Sequence, residues 1–238
     1  IYKMSIKISF NKNLSDKSVK NYVFFCDYDF KIYGLNKLKI GNQSSPINKT
    51  INSNKSKDKK ILLFNLNPDQ RIILIKIKKS LSSTDNEKKG ANFYNFLKSN
   101  QIFDSTFFEE NIKDVATKNK LFINEFFHGL ELKSYEFDKY KSKKKKETFN
   151  INVKIETKYF DQKNNKRFSS LLEGTNLTKD LVSEPGNVLH PDEYAKRITQ
   201  LKKYGLKVTV YDEKKLKRLG MNALLGVGQG SIRGSYLV

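Results

Sequence analysis

The chain has 238 residues, of which 46 are Lys or Arg and 25 are Asp or Glu, so its formal net charge is +21. This length fits one complete domain and part of another. The charge makes nucleic acid a candidate partner, although the joint abundance of Lys, Asn, Ile and Phe is also typical of a compositional bias. No apolar run approaches the roughly 20 residues needed to cross a bilayer, so we expect no membrane partner.

The single cysteine, Cys26, excludes an internal disulfide framework and a cysteine-based zinc site. It ends the apolar run Tyr22 to Cys26, and we predict that it is a buried small hydrophobe in a reducing cytoplasm. The chain begins at Ile1 rather than at Met, and it ends on the apolar run Tyr236-Leu237-Val238. We therefore expect a fragment of a longer protein.

Residues 1–160 are predicted to form an N-terminal α/β domain with a mixed sheet. Two apolar, β-branched runs separated by Asn67-Pro68-Asp69-Gln70 predict a hairpin, because Asn, Pro and Asp each favour a turn. Alternating or short apolar runs predict the other strands. The predicted strands are Lys3–Phe10, Asn21–Tyr28, Lys31–Leu38, Ile61–Leu66, Arg71–Ile77, Phe103–Phe108 and Ile151–Thr157.

Helices and loops complete this first domain. Apolar residues at helical spacing predict a helix over Asn92–Asn100 and one long amphipathic helix from Asn111 to about Tyr140. A helix-interior glycine costs about 1 kcal/mol against alanine, so Gly129 indicates close packing. The polar segments Asn42–Lys60 and Lys79–Lys89 are predicted to be loops.

Lys139–Lys146 contains six lysines in eight residues. These lysines could bind phosphate backbones, but no aromatic residue interrupts the four consecutive lysines to stack on bases. We favour a solvated turn between domains. Eight of the twelve glycines lie at or after Gly174. This shift in composition places the domain boundary near residue 160.

Residues 161–238 are predicted to begin a second α/β domain. A polar linker, Asp161–Lys166, precedes a helix that ends before Pro185. Pro191 with two following acids opens the next helix, and Gly205 ends it. The remaining predicted elements are a strand over Leu206–Tyr211 and a short helix, Glu213–Leu219, between an Asp212 cap and Gly220.

The sequence motifs do not by themselves assemble a catalytic site. Gly226–Ser231 has the glycine spacing of a phosphate-binding loop, but it lacks the Lys-Ser/Thr ending and no helix is predicted to follow it. His128 and His190 are isolated, and neither an HExxH nor a GxSxG motif occurs. The acids Glu184, Asp192 and Glu193 fit helix-cap chemistry. No residue of the chain is assigned a catalytic, cofactor-binding or metal-binding role.

Two segments of the second half nevertheless resemble the leucyl aminopeptidase family of metallopeptidases. They are NLTKDLVSEPGNVLHPDEYA, over Asn176–Ala195, and LGMNALLGVGQGS, over Leu219–Ser231. Upstream, GLELKSYEFDKYKSKKKK (Gly129–Lys146) is similar to the end of that family's N-terminal domain. His190 stands where Thr or Ser is more usual, so the helix cap is weaker there, and Gly186 stands where a less flexible residue is common.

This resemblance implies an enzyme that removes leucine-like N-terminal amino acids from peptides. The family's chemistry uses two divalent metal ions, manganese or zinc, which activate a bridging water and polarise the scissile carbonyl. In the family a Lys and several Asp and Glu carboxylates hold the metals, and the metal-binding motif, a glycine-rich VGKG followed by an Asp-Ser-Gly-Gly run, has no counterpart in this chain. The resemblance thus implies an inactive fragment, binding no metal itself, of a cytosolic homo-hexamer whose peptidase domain has only begun by residue 238.

Two hypotheses of other classes stay open beside the enzyme. The net charge of +21 and the lysine run favour a basic nucleic-acid-binding module, which is the less favoured partner class. The glycine turn over Gly226–Ser231 would suit an anion-binding α/β domain.

Overall fold

A computed structural model describes residues 6–12, 14, 18–37, 44–53, 60–78, 80–116, 119–142, 148–154 and 162–238. The chain divides into two compact units between Asn176 and Leu177. This division falls inside a helix that begins at Gln162, whereas the predicted boundary near residue 160 precedes that helix. The domain limits 1–160 and 161–238 stay a prediction.

The first unit is built on a six-stranded sheet with helices around it. Its strands are β1 (Ile6–Asn11), β2 (Asn21–Cys26), β3 (Ile61–Asn65), β4 (Arg71–Lys76), β5 (Asp104–Phe108) and β6 (Phe149–Lys154). Its helices are α1 (Ser44–Ser53), α2 (Ser83–Ser99), α3 (Glu109–Val115), α4 (Phe122–Lys133) and the first part of α5 (Gln162–Ser183), with a 3-10 turn over Leu35–Lys37. The second unit contains the end of α5, from Leu177, and then α6 (Pro191–Thr199), a 3-10 turn (Gln200–Tyr204), α7 (Glu213–Arg218) and α8 (Asn222–Gly228).

The sheet has the strand order β1-β6-β5-β2-β4-β3. Neighbouring strands from β1 to β4 are parallel, and β3 alone pairs antiparallel with β4. The predicted hairpin is confirmed, with Ile61 opposite Ile75 and Asn65 opposite Arg71. In its turn the Asn67 side chain accepts from the Asp69 N–H at 3.0 Å. The fold class, α/β with a mixed sheet, is likewise confirmed.

Strand β2 is the centre of the core, because all six of its residues are buried. Successive side chains point to opposite faces of a strand, so Val23 and Phe25 enter one apolar cluster while Tyr22, Phe24 and Cys26 enter the other. Cys26 is buried, as predicted, and burial raises the pKa of its thiol to about 12. Helices therefore cover both faces of the sheet, as parallel strands require.

Helices α2 and α4 approach each other through two glycines. A Cβ placed on Gly129 would lie 2.0 Å from the Glu87 carbonyl oxygen, and one on Gly90 would lie 1.8 Å from that of Phe126. No side chain larger than hydrogen fits at either position without separating the two backbones. The close packing predicted at Gly129 is confirmed, and Gly90 is its counterpart on α2.

The long helix predicted over Asn111–Tyr140 is wrong, because the structure has two shorter helices there, α3 and α4. Before α4 the Asn119 side chain accepts from the Leu121 N–H at 2.9 Å and donates to the Glu125 carboxylate. At its far end the Ser134 hydroxyl bonds the Glu131 carbonyl at 2.8 Å. Asn and Ser compete for backbone hydrogen bonds in this way and so interrupt helices.

Three segments predicted as loops contain helix. Within Asn42–Lys60 the structure has α1, whose Ile47 and Ile51, one turn apart, are buried; residues 54–59 lie outside the described part. Within Lys79–Lys89, α2 begins at Ser83, since the Ser82 hydroxyl accepts from the Asp85 N–H at 3.1 Å. This Ser-x-x-Asp cap was readable in the sequence and was missed.

The third such segment, Asp161–Lys166, forms the first turns of α5 from Gln162 onward. Asn165 bonds Asn124 of α4 at 2.5 Å, and the Phe168 ring lies 5.3 Å from the His128 ring. These contacts with α4 compensate for a polar composition that by itself favours a linker. The helix predicted to end before Pro185 is confirmed.

Two predicted strands are wrong. At Lys31–Leu38 the chain turns back on itself: Ile32 bridges Cys26, and Gly34 has a φ of +66°. At Leu206–Tyr211 only Tyr211 pairs, with Leu237. A strand needs a neighbouring strand to bond its N–H and C=O groups. Among the described residues, none forms such a ladder with residues 206–210.

The lysine-rich run, predicted as a solvated turn, is described only up to Ser142. Tyr140 is 53% exposed, and Lys139 stands 5.4 Å from its ring centre. Residues 143–147 lie outside the described part, so the solvated-turn prediction over the consecutive lysines stays a prediction.

Candidate functional site

The segment that carries the family resemblance is a helix, a tight turn and a second helix. Helix α5 ends at Ser183, and the Pro185 carbonyl accepts from the N–H groups of Val188 and Leu189, both at 2.9 Å. Helix α6 then begins at Pro191. Pro at the first helical position has no N–H to leave unpaired, so this predicted start is confirmed, and a 3-10 turn extends the helix as far as Gly205.

An ion network joins the two sides of this turn. Arg197 donates to Glu184 and to Glu193, each at 2.9 Å, and the Glu184 side chain is only 2% exposed. The hydrogen bonds that Arg197 donates to Glu184 and Glu193 raise the pKa of Arg197, and the bond to Glu193 lowers the pKa of that carboxyl. Glu184, predicted to take part in capping, instead holds α6 against the turn. The Glu193/Arg197 spacing of four residues was the sequence signal for part of this network.

His190 occupies the position before α6 and makes no side-chain cap to the helix backbone. This confirms the weak cap predicted there. Its Nδ1 instead contacts the Asp192 carboxylate, whose other oxygen lies 3.6 Å from Arg233. The Asp212 cap predicted for α7 is present, with its carboxylate accepting from the Lys215 N–H at 2.9 Å.

The glycine-rich motif Gly226–Ser231 lies where α8 ends, not before a helix. The Ser231 N–H donates to the Gly228 carbonyl at 3.0 Å, and the Gln229 N–H donates to that of Gly226. Amides used inside the turn are not available to cradle a phosphate. The structure therefore gives the anion-binding hypothesis no support at this motif.

His128, the other candidate histidine, is buried in α4, where its Nδ1 lies 2.8 Å from Glu87. Across the described ranges, no cluster of three or more His, Cys, Asp or Glu side chains could hold a metal ion. The described residues thus do not fit the two-metal centre that the family resemblance implies.

A surface cavity of about 450 Å³ lies in the first unit. It is lined by the loop after β2, by one turn of α1 and by the end of α3, through Asp29, Phe30, Lys31, Ile32, Gly34, Leu35, Lys37, Asn48, Ile51 and Asp114. No sequence pattern indicates this cavity, because the residues of the loop after β2 have the apolar spacing that predicts a strand.

Glu131 of α4 has an altered proton affinity, because burial raises the pKa of its carboxyl to about 7 from 4.5. At Glu131 the folded chain therefore binds more protons than the unfolded chain between about pH 4.5 and 7. The contribution of Glu131 to the free energy of unfolding accordingly falls as pH rises through that window, and the loss is complete above it.

Glu131→Gln is expected to raise the free energy of unfolding by about 2 kcal/mol at pH 8 and to change it little at pH 4. Urea denaturation at the two pH values measures this difference. Glu173→Gln, at an exposed position of α5, is the matched control. Equal gains at both pH values would contradict the assignment to Glu131.

The second unit is similar to part of a known protein family. Residues 176–238 match the model of the cytosol aminopeptidase family, catalytic domain. The matched range covers the α5–α6 turn, its ion network and the glycine-rich motif. These residues are similar to that catalytic domain. The resemblance found in the sequence is thereby confirmed.

Curated relatives agree with this assignment. A probable cytosol aminopeptidase of Phytoplasma mali is 46% identical over 132 residues, which are 52% of this chain and 26% of the relative. One of Bradyrhizobium sp. is 45% identical over 114 residues, which are 46% of this chain and 23% of the relative. The matched part of the chain thus spans about a quarter of the length of these cytosol aminopeptidases.

Solved structures agree in fold. A tomato leucine aminopeptidase variant superposes with a TM-score of 0.67 at 19% identity, over 97% of this chain and 49% of its own. A bottromycin maturation enzyme superposes with a TM-score of 0.65 at 16% identity, over 92% of this chain and 45% of its own. The sheet and helices before residue 176 therefore share the fold seen in leucine aminopeptidases. Within the described residues, no helix has the length and apolarity to cross a bilayer.

Proposed function

We propose that this chain is part of a metal-dependent leucyl aminopeptidase, which hydrolyses N-terminal amino acids from peptides with two divalent metal ions. The observation that carries the proposal is the match of residues 176–238 to the catalytic domain of the family. A solved bottromycin maturation enzyme of the same fold is in complex with Mn, which supports manganese as one candidate metal. By the same resemblance the complete protein would be a cytosolic homo-hexamer.

We further propose that the 238 residues alone are inactive. The described residues hold no cluster of metal-ligating side chains, and the matched part of the chain spans about a quarter of its curated relatives. What the second unit does contain is a rigid α5–α6 turn, tied by the buried Glu184 and by Arg197. In this proposal the turn supports a metal centre that residues outside this sequence provide.

The test compares the 238-residue chain with the protein encoded by the complete gene. Leucine p-nitroanilide is the substrate, assayed with added manganese. We expect release of nitroaniline from the complete protein and none above background from residues 1–238. Turnover by residues 1–238 alone would refute the inactive-fragment proposal, and an inactive complete protein would refute the aminopeptidase proposal.

Nucleic-acid binding remains the alternative only on the strength of the net charge and the lysine run. Neither the family match nor the curated relatives support it. A salt titration with unrelated DNA sequences distinguishes a dedicated nucleic-acid interface from a positive charge that only reflects composition. Equal, weak and strongly salt-dependent binding to every sequence would indicate composition rather than a dedicated interface.

A further inference from the structure

The cavity of the first unit lies where ligands bind in open parallel sheets. The connection after β2 leads towards β4 on one side, whereas the connection after β5 leads towards β6 on the other. Neighbouring parallel strands whose connections diverge leave a crevice at their carboxyl ends, and this is the preferred ligand site of such sheets. The cavity is lined by the loop that follows β2 and by Asp114, in the helix directly after β5.

The loop that forms the cavity wall is held in a fixed shape. The Asp27 carboxylate accepts from the N–H groups of Asp29 and Lys31, both at 2.9 Å. Phe30 has a φ of +67°, a conformation that costs a non-glycine residue energy. Gly34 has a φ of +66°, and a Cβ on it would lie 2.8 Å from the Glu110 carbonyl oxygen. A wall fixed before binding lowers the entropy lost on binding.

The lining has an apolar floor and a rim with charges of both signs. The floor consists of the buried side chains Phe30, Ile32 and Ile51. Around it stand two lysines, Lys31 and Lys37, and two carboxylates, Asp29 and Asp114, with the amide of Asn48. Among these lining residues the formal charges balance.

This charge pattern selects between classes of ligand. A phosphate or another polyanion would meet the lysines but would also meet two carboxylates, which repel it. A zwitterion satisfies both signs, since a carboxylate can face a lysine and an ammonium group can face an aspartate. The apolar floor then suits an aliphatic side chain.

We propose that this cavity binds an amino-acid zwitterion with an apolar side chain, supplied by a free amino acid or a short peptide. The site belongs to the sheet unit, and its argument does not rest on the proposed peptidase activity. Its lining contains no residue of the 176–238 range that matches the catalytic domain.

Isothermal titration calorimetry of the 238-residue chain with L-leucine tests the proposal. We expect L-leucine to bind. The analogues 3-methylbutylamine and 4-methylpentanoate each lack one charged group, and we expect their affinity to be lower by about tenfold or more. Leucyl-leucine tests the peptide form, and binding of either form supports the site. Heat from phosphate or AMP without heat from L-leucine and leucyl-leucine would overturn the proposal, as would equal affinity for the single-charge analogues.

Matched variants place the binding at this cavity. Asp29 and Asp69 are both exposed turn residues whose N–H bonds the side chain two residues earlier, at 2.9 and 3.0 Å. Asp29→Asn is expected to weaken L-leucine binding about tenfold, and Asp69→Asn to leave it unchanged. Lys37→Gln and Lys202→Gln form a second pair with the same expectation. Unchanged affinity in both Asp29→Asn and Lys37→Gln would show that leucine binds elsewhere and would overturn the proposal.

Discussion

Gly129→Ala is expected to lower the free energy of unfolding by about 3 kcal/mol. The new Cβ would lie 2.0 Å from the Glu87 carbonyl oxygen, where neither backbone can yield without separating α2 from α4. The rings of Phe93 on α2 and Phe126 on α4, 5.8 Å apart, would then lose contact. A urea titration of the 238-residue chain, followed by far-UV circular dichroism, measures the change.

Gly174→Ala is the control for this prediction. Gly174 lies within α5, and a Cβ on it would meet nothing within 4 Å. Alanine is favoured over glycine in an open helix position by about 1 kcal/mol, so this variant should be slightly more stable than the parent chain. Similar losses in both variants would show that backbone flexibility rather than contact between α2 and α4 explains Gly129.

Asn111→Leu is expected to cost about 3 to 5 kcal/mol, because it leaves backbone groups unpaired in the core. Asn111 is fully buried, and its side chain accepts from the Phe25 N–H at 2.8 Å. It also donates to the carbonyls of Phe25 at 3.0 Å and Tyr33 at 2.7 Å. These bonds tie the end of β2 to α3. They lie further along β2 than the two residue pairs, Tyr22–Thr106 and Val23–Phe107, that join β2 to β5.

The same urea titration measures this loss, with Asn100→Leu as the matched control. Asn100 is exposed at the end of α2, where its side chain bonds one carbonyl, that of Phe96, at 2.8 Å. Its replacement should cost about 1 kcal/mol or less. If the two asparagine variants lose equal stability, the three bonds of Asn111 are not what holds β2 to α3.

The family resemblance could be found in the sequence because the motifs that carry it are local. Asn176–Ala195 contains helix, turn and helix start within one short stretch, and the structure places all three there. The partner of the buried Glu184 could not be predicted with equal ease. The Glu184–Arg197 bond spans thirteen positions and depends on how α6 returns against the turn.

Candidate binding residues were harder to predict than the family. The cavity rim combines Asp29 and Lys31 from one loop with Asp114 from a helix far along the chain. Nothing in either segment alone indicates the other, since their meeting depends on β2 and β5 being neighbours. The predicted strand at Lys31–Leu38 hid the loop, because apolar spacing does not report a positive φ at Phe30.

The sequence by itself determined the features that neighbouring residues control. Asn67-Pro68-Asp69 fixes the hairpin, Pro191 begins α6 and Asp212 caps α7, because turn and cap bonds close within a few residues. The tertiary structure alone decided the strand order, the division of residues 111–140 into two helices and the existence of the cavity. The physical reason is that strands and polar helices are stabilised by partners distant in sequence, which local composition does not specify.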